Sequence, residues 1–161
     1  MSNDRLNMDF GVELIDNGTS DDYYTPPFVF EALDLKFDID VCAPAGGVPW
    51  IPAKRHFSVI DDGLGQDWIG KVWMNPPYSK VTPWIDKFIN HGNGVALIPA
   101  MKSYWWKTAW DKADAILALP TDIKWIRADG RTRSIMFTVM LVAMGEENVQ
   151  SFHNSGLGRV R

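Results

Sequence analysis

Apolar runs that stop abruptly on proline, glycine or acidic residues give this chain its pattern. Val72-Trp73-Met74, entered from Lys71, is followed at once by Asn75-Pro76-Pro77-Tyr78. This predicts a short buried strand that delivers a rigid loop to one edge of a sheet. Gly94 to Pro99 is a continuous apolar run, expected of a central parallel strand covered on both faces. Phe37 to Ala43 alternates apolar and acidic residues like a strand with one solvated face, and runs into Pro44-Ala45-Gly46-Gly47. Ala115 to Leu119 reads as a further short strand, and Ser134 to Ala143 as a last one that pairs back into the sheet.

Helical patterns lie between these runs. Thr25-Pro26-Pro27 supplies a cap and a first turn for Phe28 to Leu33. Thr82-Pro83 and His91-Gly92 bracket a helix over Val81 to Asn90, with Trp84, Ile85 and Phe88 on one face. Ser103 to Ala113 is the next helix, carrying Trp105, Trp106 and Trp110. Trp50 to Ser58 reads as a connection, and Val59-Ile60 as a short strand ending in the acidic turn Asp61-Asp62-Gly63-Leu64. Residues 1–20 read as an acidic N-terminal arm and 146–161 as a polar, partly mobile C-terminal tail. Alternating strands and helices, with every chemical signal at a strand's carboxyl end, predict a three-layer α/β sheet with a ligand bound across that edge.

Composition narrows the class. A chain of 161 residues, 46% hydrophobic, with eight Trp and eight Phe, has the length and apolar content for one domain with a real core. No apolar run approaches the length of a membrane span and the first residues lack a signal-peptide pattern, so a cytoplasmic location is expected. The single cysteine, Cys42, excludes an internal disulfide framework and reads as a small buried hydrophobe. His56, His91 and His153 have no ligand spacing, so no metal centre is expected. The net charge of −4 divides unevenly, with −8 in residues 1–40 and +4 in residues 41–161. The mildly basic body can offer a positive groove to phosphates. Its most basic stretch, Lys124 to Arg133, carries Lys124, Arg127, Arg131 and Arg133 around Trp125.

The chemistry concentrates in Asn75-Pro76-Pro77-Tyr78. Each proline fixes its own φ and holds the preceding residue extended. The Asn75 side-chain oxygen and the Pro76 carbonyl thus form two acceptors on a stiff frame, suited to a planar amine that gives up two hydrogen bonds. Holding those hydrogens out of plane would localise the amine's lone pair for attack, and Tyr78 offers a ring for stacking. A strand-ending turn accounts for the same residues. With proline near 5% of average sequence, however, a chance Asn-Pro-Pro-aromatic in a chain this long is of the order of one in a thousand. Asp38 and Asp40 share a strand face, and Asp40, nearer the carboxyl edge, is the favoured ligand-edge acid. The loop after it lacks Gly-x-Gly-x-x-Gly, so no dinucleotide fingerprint is present.

In their order, Thr25-Pro26-Pro27, Asp40-Val41-Cys42-Ala43, Asp61-Asp62-Gly63-Leu64 with Trp68, and Asn75-Pro76-Pro77-Tyr78 resemble the S-adenosylmethionine-dependent amino-methyltransferases. The resemblance is closest to the small Dam-like N6-adenine DNA methyltransferases of phages and prophages, and runs from residue 21 to residue 143. It implies a Rossmann-like methyltransferase sheet, mostly parallel with an antiparallel C-terminal strand, in one domain over residues 21–145. It implies S-adenosylmethionine as cofactor, with Thr25 and Pro26 beside its methionine part, Asp40 near its amino or ribose region, Cys42 and Ala43 in the cofactor loop, and Asp62 or its rival Asp61 at its adenine amino group. Asn75 and Pro76 would hold the target adenine N6, with Pro77 stiffening the loop and Tyr78 stacking on a base flipped out of double-stranded DNA. Two features depart from the family pattern: Pro44-Ala45 stands where many relatives carry glycines, and no acid marks a second ribose contact. The same loop also serves enzymes that methylate RNA or protein glutamine, and a non-catalytic nucleic-acid-binding relative is a further alternative. Target sequence and oligomeric state are not written in these residues.

Overall fold

The computed structural model describes residues 23–135 and 137–161. The acidic arm expected over residues 1–20 lies outside the described residues. Nine strands are formed among the described residues, three of them short: β1 (Tyr23–Tyr24), β7 (Trp125–Arg127) and β8 (Thr132–Arg133). The other six are β2 (Phe37–Asp40), β3 (Ala53–His56), β4 (Val72–Met74), β5 (Gly94–Pro99), β6 (Ala115–Ala118) and β9 (Val139–Met144). These six make the larger sheet, in the order β3-β2-β4-β5-β9-β6. β3, β2, β4 and β5 pair in parallel, whereas β9 runs antiparallel to both β5 and β6. Among the described residues there are four α-helices: α1 (Pro27–Leu33), α2 (Val81–His91), α3 (Tyr104–Lys112) and α4 (Glu146–Ser155).

Alternation along each strand divides the core between the two faces. Trp73, Val95, Leu97 and Leu141 point to one side and pack, with Phe37 at the start of β2, against Val29, Phe30 and Leu33 of α1 and Phe152 of α4. Ile39, Val72, Met74, Ala96, Ile98 and Val142 point to the other and pack with Ile85 and Phe88 of α2 and Ala109 of α3. Every residue of β5 is buried, as a strand covered on both faces requires.

The three short strands form a second sheet in the order β1-β7-β8. β7 and β8 make a hairpin, which the basic stretch Lys124 to Arg133 did not announce. Gly130, at φ +80°, closes its turn with its N–H on the Arg127 carbonyl.

Four local expectations are corrected. The polar stretch 146–161 is ordered into α4 and an edge segment. Ser151 of α4 donates to the Leu33 carbonyl at 2.6 Å, Asn148 Nδ2 donates to the Met144 carbonyl at 2.7 Å, and residues 159–161 pair with β6 through Val160 opposite Leu117. Asn148 and Ser151 are buried with backbone acceptors beside Phe152, so composition concealed a packed helix. Trp50 to Ser58 is not all connection, because Ala53–His56 is the edge strand β3, whose exposed Lys54, Arg55 and His56 give no apolar alternation. Val59-Ile60 is not a strand. A capping box between Ser58 and Asp61 winds Val59–Asp61 into one 3₁₀ turn and leaves Val59 and Ile60 exposed. The last strand starts at Val139 rather than Ser134.

Candidate active site

Strand order locates the site. The chain passes from β2 outward to the edge strand β3 and then crosses back past β2 to β4, and the cavity lies at the carboxyl ends of the neighbours β2 and β4. Asp40 is the last residue of β2, and Asn75 directly follows β4. A cavity of about 220 Å³ lies there, lined by Tyr23, Thr25, Asp40, Cys42, Trp73 and Asn75 among others.

Asp40 is only 3% exposed. Burial pushes its carboxyl up to about 7, opposed only by a hydrogen bond from the Cys42 N–H at 3.3 Å. Among the described residues no ion pair reaches it. Asp38, on the same strand face, is held low by Lys54 at 2.7 Å and by the Lys71 N–H at 2.8 Å. The two acids thus divide into a solvated structural group and a buried one that faces the cavity.

Thr25 does not cap α1. Pro26 occupies the cap position without a side-chain hydrogen bond, and Thr25 is buried with its Oγ1 unpartnered among the described residues. Cys42 is half-buried on the cavity wall rather than in the core, beside the buried Ala43. Pro26 is buried outside the cavity lining.

Asn75 Nδ2 donates to the Tyr23 carbonyl at 3.2 Å. A carbonyl accepts only, so this contact fixes which end of the amide faces β1 and leaves the Asn75 oxygen as the outward acceptor. Tyr23 belongs to β1, whose partner across the ladder is Arg127 of the basic hairpin. The loop's amide and the hairpin are thereby joined through one strand. Pro76 is buried and Pro77 lines the cavity. Tyr78 starts a 3₁₀ turn, with its ring edge-on to Phe137 at 5.6 Å. Lys124, Arg127, Arg131 and Arg133 all sit on or beside the hairpin, where Lys124 donates to Ser134 and Arg131 lies 3.7 Å from Asp129.

Asp61 and Asp62 stand apart from the cavity lining. The Asp61 carboxylate accepts from the Ser58 N–H and hydroxyl, at 2.7 and 2.8 Å, which holds it low, and Asp62 is exposed at φ +52°. Their turn is pressed against the end of β2 at Gly63, where an added Cβ would meet the Val41 carbonyl at 2.2 Å. Gly63→Ala is therefore expected to cost about 1–3 kcal/mol in stability, read as a lower melting temperature; an unchanged value would show that the turn yields freely.

Sequence reasoning passed over Tyr23, Trp73 and the exposed Val59 at the cavity's lip. Their signals were slight: a Tyr-Tyr pair ahead of Thr25-Pro26-Pro27, a buried indole in a strand, and an apolar residue in a turn.

A family model described as DNA N-6-adenine-methyltransferase (Dam) matches residues 14–148. The chain belongs to the Dam family. That match takes in every site residue from Thr25 to Arg133. Over 71 residues the chain is also 34% identical to the DNA N-6-adenine-methyltransferase of Haemophilus phage HP1 (strain HP1c1), a stretch covering 41% of this chain and 39% of that relative. The similarity to the phage protein thus spans less than half of its length. Among the described residues of this Dam-family chain, no helix is long and apolar enough to cross a membrane, and no group of three or more His, Cys, Asp or Glu is placed to hold a metal ion.

Proposed function

We propose that this chain transfers a methyl group from S-adenosylmethionine to the N6 amine of adenine in double-stranded DNA, the target base being flipped into the crevice between Asn75 and Tyr78. The observation that carries the reading is the Asn75 amide, oriented by the Tyr23 carbonyl with its oxygen outward at the mouth of a cavity floored by a buried acid. The six-strand order, with one antiparallel strand inserted beside β5, supports a Rossmann-like methyltransferase fold. A phage or prophage origin, like that of the Haemophilus phage HP1 relative, would place this work in the cytoplasm of a bacterial host.

The cavity residues fit the cofactor. Among the described residues Asp40 lacks a cation and Thr25 Oγ1 lacks a partner, so a ligand bearing an ammonium and an acceptor would satisfy both. Thr25, Asp40, Cys42 and Ala43 would hold it, with Val59 at the lip and Asp62 or Asp61 on the neighbouring turn. When bound, S-adenosylmethionine supplies an electrophilic methyl group. The protein's own work is positioning. The Asn75 oxygen and the Pro76 carbonyl accept the two N6 hydrogens, which turns the lone pair toward the cavity, and Tyr78 stacks on the flipped ring. The Pro-Pro backbone holds these acceptors in place before the base arrives.

The hairpin is the phosphate-contacting element in this reading. The double variant Lys124→Ala/Arg131→Ala is expected to weaken DNA binding at low salt and to reduce the salt slope by about 1 for each phosphate no longer neutralised, with cofactor affinity unchanged. An unaltered salt slope would remove the hairpin from the interface. The function itself is tested by offering methyl-labelled S-adenosylmethionine with duplex DNA, RNA or protein in parallel. Label in DNA supports the reading, and label in RNA or protein alone overturns its choice of acceptor.

A further inference from the structure

We propose that the indole N–H of Trp73 is a ligand-binding group, which donates a hydrogen bond, together with the Thr25 hydroxyl, to the carboxylate at the amino-acid end of the methyl donor. The inference rests on the donor reading above and deepens it. Trp73 is the middle residue of β4 and fully buried. Its ring is fixed by edge contact with Phe30 at 4.7 Å and by Phe37 at 5.8 Å, so the N–H has little freedom to seek a partner. Yet Nε1 has none among the described residues. Buried indole N–H groups ordinarily find acceptors. Buried Trp68 does so on the Gly63 carbonyl, and even the half-buried Trp50 and Trp105 find the Thr25 and Pro99 carbonyls.

Trp73, Thr25 and Asp40 line one cavity. Two unused hydrogen-bonding groups and one buried carboxyl in the same space call for a ligand with both an acceptor and a cation. A phosphate would satisfy the donors and repel the acid, and a simple amine would satisfy the acid alone. A zwitterionic α-amino acid answers all three. Its ammonium belongs beside Asp40 and its carboxylate beside Trp73 and Thr25.

The test is calorimetric binding of S-adenosylhomocysteine and of its decarboxylated analogue to wild type and to Trp73→Phe, which keeps an aromatic ring and loses the N–H. Wild type should bind the decarboxylated analogue about tenfold more weakly than the parent, and Trp73→Phe should bind the parent about tenfold more weakly while discriminating less between the two. If Trp73→Phe binds both ligands as wild type does, or loses affinity equally for both, the assignment is overturned. Should that variant fail to fold, indole ¹H–¹⁵N spectra of wild type decide: one buried indole signal should shift downfield with S-adenosylhomocysteine and not with the decarboxylated analogue, and identical shifts with both would overturn the assignment. A wild type that binds neither ligand would overturn the donor reading and this assignment with it. A wild type that binds normally beside an indifferent variant overturns the assignment alone.

Discussion

Replacing Asn75 by alanine is expected to lower turnover about a thousandfold while cofactor affinity stays within about twofold of wild type. Asn75 follows a strand anchored by the fully buried Trp73 and Met74, and its amide is held by the Tyr23 carbonyl. Alanine removes the acceptor for one N6 hydrogen and abandons that carbonyl. The amine then keeps its lone pair conjugated with the ring, so the loss falls on the chemical step. Thr25, Asp40, Cys42 and Trp73 remain around the cavity, which is why cofactor binding is spared. Single-turnover rates at saturating cofactor, beside calorimetric affinities, separate the two effects. Near-normal turnover in the variant would take Asn75 out of the reaction.

Asp40→Asn is expected to act on the other substrate and in two opposite directions. At roughly pH 8 it should weaken cofactor binding by about a hundredfold, the scale of a buried charge pair losing one partner. At the same pH it should stabilise the free protein by up to about 4 kcal/mol, because a buried carboxylate without a cation is costly. An unfolded aspartate titrates near 4, whereas folded Asp40 titrates at about 7. Between those values the native state holds a proton that the unfolded chain has released. Stability of the wild type therefore falls as pH rises through this window and levels off above it, and the asparagine variant lacks this decline. Binding has the reverse slope. An ammonium beside Asp40 favours the charged carboxylate, so wild-type affinity should fall as pH drops below 7, while the variant's stays flat. Chemical denaturation and calorimetry across this range check both slopes, and parallel profiles for the two proteins would remove Asp40 as the responsible group.

What the sequence disclosed and what it withheld follow from how each contact is encoded. The Val72-to-Tyr78 strand and loop were legible because an apolar run and two prolines restrict the backbone locally. Asp40 was legible because an acid at a strand end before small residues has few structural uses. Strand β3 escaped notice because an edge strand can carry three consecutive basic or imidazole side chains, Lys54, Arg55 and His56, and still pair through its backbone. Helix α4 escaped because Asn148 and Ser151 are buried by satisfying distant or local carbonyls, and a periodicity of apolar residues cannot record that. The bond from Asn75 to Tyr23 spans 52 residues and ends on a backbone carbonyl, so no side-chain pattern announces it. Trp73 looked like core because its ring is core; only the absence of an acceptor for its N–H among the described residues sets it apart.

The most direct measurement is to incubate the purified protein with S-adenosylmethionine and unmethylated duplex DNA, digest the DNA to nucleosides, and quantify N6-methyladenine by mass spectrometry beside the Asn75→Ala variant. N6-methyladenine from the wild type and almost none from the variant is the expected result. Wild type that binds S-adenosylmethionine and leaves adenine unmodified, or a variant that methylates as well as wild type, would contradict the proposed reaction or the role of its loop.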